Sequence, residues 1–180
     1  MKTAFLGASL AAIVGSVATA DVTYSFTNQT WTGFNFTEAY VAGSLSGTLT
    51  GLTVNATLNA STNYTYADDL CVYVAGSPLA LGGLMQCGGF SNLNATERYS
   101  WGNGGSDAPG TPLFGGRNFT TGLNMTGSTN SVWIGNGYVA AGTSGNWTGS
   151  ITLLGVNAVP APGAIALVGL AGLVGRRRRS

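Results

Sequence analysis

The sequence contains no histidine, and its only lysine is Lys2. Two side chains that do most acid–base work near neutral pH are therefore missing from the body of the chain. Without imidazole there is no Ser-His-Asp triad, no histidine-activated cysteine and no histidine-ligated metal. Charge is scarce too, with Asp, Glu, Lys and Arg making up 7% of the residues. What charge there is lies unevenly. Lys2 and Arg176 to Arg179 sit at the ends, leaving Arg98 and Arg117 against Asp21, Glu38, Asp68, Asp69, Glu97 and Asp107. Two cations against six anions give the body −4, although the whole chain is formally +1. Such a domain is a poor partner for nucleic acid.

Gly, Ser, Thr and Asn dominate the body, with aromatic residues spread among them. No sustained helical period appears. Short apolar/polar alternations lie between Gly, Asn and Ser clusters, which predicts an all-β fold, a single sandwich over 21–158. Leu52, Val54, Ala56 and Leu58 alternate with Thr53, Asn55, Thr57 and Asn59. Leu70–Val74, Val132–Ile134 and Ile151–Leu153 show the same period. Turn signals stand at Gly43, Gly47, Gly51, Pro78, Gly82-Gly83, Gly102 to Gly105, Gly115-Gly116 and Gly142 to Gly145. The stretch from Glu97 to Asn118 has little pattern and is expected to be a loop at one end of the sandwich.

Both ends of the chain look like processing signals. Lys2 precedes an apolar stretch that closes on Ala18-Thr19-Ala20, the pattern of a secretory signal peptide cut between Ala20 and Asp21. At the other end the apolar run from Gly163 to Gly175 would cover roughly 20 Å as a helix, short of a bilayer core. The arginines behind it act as a stop-transfer signal that stays cytoplasmic. Val159-Pro160-Ala161-Pro162-Gly163, the short apolar helix and Arg176-Arg177-Arg178-Arg179 together resemble a PEP-CTERM sorting signal. Ala161 stands where that motif usually has glutamate. The resemblance implies an exosortase-like processing partner, a transient membrane anchor, and delivery to the bacterial cell envelope, outer surface or polysaccharide matrix.

A second resemblance covers part of the body. Tyr66-Ala67-Asp68-Asp69-Leu70-Cys71-Val72-Tyr73-Val74, followed by Ser77-Pro78, is similar to a strand of the P domain, a jelly-roll module. The closing segment Gly142-Thr143-Ser144-Gly145-Asn146-Trp147 through Leu153 is similar to that module's last strand. The histidine usual before the aspartate strand is absent. The resemblance implies a jelly-roll-like sandwich without an activity of its own.

Candidate chemistry is sparse. In an exported chain Cys71 and Cys87 are expected to form a disulfide across a hairpin, with two buried free thiols as the alternative. A loop of about 15 residues closed in this way would gain roughly 3 kcal/mol. A glycosidase-type carboxylate pair is the surviving catalytic option. Asp68 and Asp69 are neighbours, and on a strand they would point to opposite faces. Asp68, Asp69 and Asp107 are candidate calcium ligands, although their spacing fits no standard calcium loop. Tyr64, Tyr66, Tyr99, Trp101, Trp133 and Trp147 offer flat rings for sugar stacking. Of these Trp101, in a glycine-rich loop, is expected to be exposed, with Tyr99 and Asn103 beside it. In the bacterial setting that the tail's resemblance implies, the nine Asn-x-Ser/Thr triplets follow from composition. These readings point to an exported, non-enzymatic surface or matrix protein, with a glycan-binding module of the exopolysaccharide as the alternative and a glycosidase as the distant one.

Overall fold

The computed structural model describes residues 21–90 and 94–160. The signal segment ending at Ala20, the motif residues Ala161, Pro162 and Gly163, the apolar run and Arg176 to Arg179 lie outside the described residues. Asp21, Val159 and Pro160 lie within them.

The described chain forms β1 (Val22–Thr32), β2 (Phe36–Tyr40), β3 (Leu45–Thr62), β4 (Leu70–Ala75), β5 (Met85–Cys87), β6 (Glu97–Tyr99), β7 (Thr111–Asn124), β8 (Ser131–Asn136) and β9 (Ser144–Ala158). A 3-10 turn, Ala67–Asp69, precedes β4. Two sheets result, with strand orders β1-β9-β3-β7 and β2-β8-β4-β5-β6. Neighbouring strands are antiparallel except β5 and β6.

The alternation read from β3 places the core. Leu52, Val54, Ala56 and Leu58 are buried, as are Ile151 and Leu153 on β9. From the other sheet Val72, Val74, Met85, Cys87, Val132 and Ile134 join the same cluster, so the apolar faces of the two sheets pack as a β-sandwich. Outward residues of the first sheet are uncharged and bond across strands. Thr23 and Thr152 share a 2.8 Å hydroxyl contact, and Asn59 donates to Asn146 at 2.8 Å and Thr148 at 2.9 Å. Branched threonines on a pleated surface favour this state.

Register corrects the disulfide. β4 and β5 do pair as a hairpin, but Val72, not Cys71, lies opposite Cys87. A one-residue offset turns a side chain to the opposite face. Cys87 therefore packs in the central core, while Cys71 packs on the outer face with Tyr73, Ala75 and Trp133. Both are buried free thiols. Burial pushes the Cys71 thiol well above its ordinary value and Cys87 up to about 12.

Two other expectations change. Gly47 and Gly51 lie inside β3, at register shifts against β9 and β7, and are not turns. The end loop expected over 97–118 contains β6 and the start of β7, which leaves residues 100–110 between strands. Gly115-Gly116 interrupts the alternation of β7 and hides it from a pattern reading.

Candidate functional site

The segment from Tyr64 to Leu70 crosses one end of the sandwich, between β3 and β4. Asn63 and Tyr64 both have positive φ, 52° and 62°. Bulky residues seldom adopt that conformation without support. Support comes from the Asn63 side chain, which donates to the Gly142 carbonyl at 2.9 Å. The result is a tyrosine held outward, 74% exposed.

The next residues make an acidic turn that is fixed at four successive carbonyls. Trp147 Nε1 donates to Ala67 O at 3.2 Å. Gly89 N donates to Asp68 O at 2.8 Å, and Gly137 N to Asp69 O at 2.7 Å. Trp101 Nε1 donates to Leu70 O at 2.7 Å. Four separate segments thus hold one turn, and the backbone of the two aspartates is set in advance of any ligand. Gly88 allows the last of these bonds. Its φ is +80°, and a Cβ there would collide with the Trp101 indole nitrogen and the Leu70 carbonyl.

Asp69 is 4% exposed. Its Oδ2 accepts from Tyr66 N at 2.7 Å and its Oδ1 from Phe90 N at 3.2 Å. Burial raises its pKa to about 6; the Asp68 charge adds to the rise and the two N–H groups offset part of it. Asp68 is half-buried, and burial raises its pKa as well.

These residues line a cleft of about 380 Å³ with Tyr64, Tyr66, Gly88, Gly89, Phe90, Ser100, Trp101 and Tyr138. Phe90 is 83% exposed and meets Tyr138 edge-on at 6.2 Å. The cleft is of the size that takes a small ligand or one or two sugar rings.

The expected glycan residues are arranged differently from the sequence reading. Trp101 is buried at 2% exposure; it forms part of the cleft floor and supports the acidic turn. Tyr99 is half-buried, packed on Phe119 at 5.1 Å; its hydroxyl donates to Glu97 Oε2 at 2.6 Å and accepts from Thr120 N at 2.8 Å. Asn103 bonds the Phe114 backbone through both side-chain ends and ties β7 to the 100–110 loop. Trp133 and Trp147 are buried. Tyr64 and Tyr66 do line the cleft. Phe90 and Tyr138 were not read from the sequence as ring contributors. Their only signal was flanking glycine, Gly88-Gly89 and Gly137, which lets two backbones meet closely.

Asp68 and Asp69 both line the cleft, because the turn is 3-10 and not extended, so they do not point to opposite faces. Asp107 does not join them: among the described residues no three such side chains form a metal-binding group. The three candidate calcium ligands are thus not brought together.

No known family, curated protein or solved structure matches the chain.

Proposed function

We propose that the chain is an exported surface or matrix protein whose β-sandwich binds a glycan in the Tyr64–Asp69 cleft. One observation carries the reading: Tyr64, Tyr66, Phe90 and Tyr138 ring a cleft that also holds two carboxylates. Sugars need flat apolar faces for their C–H groups and polar acceptors for their hydroxyls, and this cleft offers both. The acidic turn is held rigidly, which suits recognition because little has to order on binding.

Binding is favoured over hydrolysis. Glycosidases place two carboxylates on either side of the scissile bond. Here both rise from one turn, and the other walls are aromatic residues, glycines and Ser100, with no further carboxylate. The finer fold assignment, a jelly-roll like the P domain, rests on the Tyr66–Val74 and Gly142–Leu153 resemblances. Delivery rests on the PEP-CTERM-like tail, with an exosortase-like enzyme as its processing partner.

Two experiments test this reading. The full-length chain should retain exopolysaccharide in affinity electrophoresis, and Tyr64→Ala with Phe90→Ala should weaken retention by at least about tenfold, with thermal stability within about 1 kcal/mol of wild type since both rings are exposed. Equal retention by the variant contradicts the assignment. Mass spectrometry of the protein recovered from cells should show a chain starting at Asp21 and lacking Arg176 to Arg179. An intact arginine tail contradicts removal of the sorting signal.

A further inference from the structure

We infer that the Tyr64–Asp69 cleft selects a protonated amine on its sugar, taking a free-amine amino sugar in preference to its N-acetylated or neutral counterparts. The inference rests on the glycan reading above and names the class of sugar.

The argument begins with what the cleft contains. Its ionisable groups capable of charge near neutral pH are Asp68 and Asp69, both carboxylates. Arg98 and Arg117, the cations of the described residues, do not line it. The Arg117 guanidinium bonds the carbonyls of Ser100, Trp101 and Gly116 behind the floor. Among the described residues no side-chain cation therefore neutralises the two acids from within the cleft.

Asp69 is spent on the N–H groups of Tyr66 and Phe90. Asp68 is different. Its carboxylate lines the cleft, is half-buried, and among the described residues meets no donor beyond its own backbone. It is an open acceptor for a charged donor, and charge-assisted hydrogen bonds are roughly twice as strong as neutral ones. The tyrosine and phenylalanine rings around it add to the same preference, since an ammonium over a ring face is attracted by the ring quadrupole. A neutral sugar gains ring stacking and ordinary hydrogen bonds here. An amino sugar gains these and the charged contact together. An anionic sugar meets repulsion.

A calcium-bridged sugar would be the other use of two acids. It needs six to eight oxygen ligands. Asp107 stays out, and the carbonyls of Ala67, Asp68, Asp69 and Leu70 each already accept an N–H or indole donor. An ammonium asks for far fewer acceptors, and the open Asp68 carboxylate supplies one.

The test is a titration of the full-length chain with three oligosaccharides of equal length: β-1,4-glucosamine, its N-acetylated form, and β-1,4-glucose. The expected result at low ionic strength is binding of the free-amine oligomer about tenfold tighter than of the other two. Raised salt should shrink the difference. Asp68→Asn should bring the three towards parity, Asp68→Glu should restore the order, and Tyr64→Ala should weaken all three. Equal affinity for the three in the wild-type chain overturns the amine preference and leaves the glycan reading standing. Binding of none overturns both. A preference that survives Asp68→Asn shows that the amine is read outside this cleft and overturns the assignment. Should Asp68→Asn fail to fold, the salt dependence and Asp68→Glu still decide.

Discussion

Asp69 is a buried acid with no cation against it among the described residues, and it makes the protein's stability depend on pH in an unusual direction. Its ordinary pKa of 3.8 rises to about 6 in the fold, chiefly through burial. The folded state therefore binds this proton more tightly than the unfolded chain. Stability from this group is fully present below 3.8, is lost as pH rises towards about 6, and is level above. Asp68 is raised too and acts in the same sense. The thermal midpoint should therefore fall between pH 4.5 and pH 7, and Asp69→Asn should flatten that fall. A wild-type midpoint that climbs over this range contradicts the burial of Asp69. The same residue shows why the site was only partly legible. The sequence puts two aspartates side by side, and a strand reading sends them to opposite faces. The 3-10 turn that brings both to the cleft depends on donors far away in the chain, Trp101, Gly137 and Trp147.

At the scale of elements, β4 and its neighbours decide the cysteine chemistry. The pairing of β4 with β5 was legible from two apolar runs around a Pro and Gly turn. Its register was not, because pairing Cys71 or Val72 with Cys87 differs by one residue, and β4 is buried on both faces. An alternating strand with one wet face fixes its own register; a strand apolar on both sides does not. Two free thiols follow. Reductant should leave the thermal midpoint unchanged, and a thiol reagent should modify two cysteines only on unfolding. Loss of stability of about 3 kcal/mol under reductant would restore the disulfide. β3 and β9 were easier, since Leu52–Leu58 and Ile151–Leu153 alternate cleanly against threonine and asparagine. β1, β2 and β7 were harder. Positive φ at Asn28 near a register shift and Gly115-Gly116 in β7 break their period.

For the whole molecule, the sandwich core and the cleft share Trp101 and otherwise answer to different residues. The core is built from aliphatic side chains and buried indoles, including Trp31 and Trp147 at 5.9 Å from each other. Trp101, expected from the sequence to be exposed for sugar stacking, is thus spent on packing and on holding the acidic turn. The exposed rings around the cleft are Tyr64, Tyr66 and Phe90, with half-buried Tyr138 beside them. A general reason underlies this division: tryptophan offers the most apolar surface to a core short of long aliphatic runs, while tyrosine tolerates water at its hydroxyl. The outer face of the β1-β9-β3-β7 sheet presents a competing surface, uncharged and rich in Thr, Ser and Asn, where a ligand would contact hydroxyls and amides and few rings. The most direct measurement separates the two. Side-chain footprinting of the full-length chain with and without exopolysaccharide should protect Tyr64, Tyr66, Phe90 and Tyr138 and leave the outward residues of β3 and β9 unchanged. Protection on that sheet face instead, or no protection at the four rings under saturating glycan, would contradict the account.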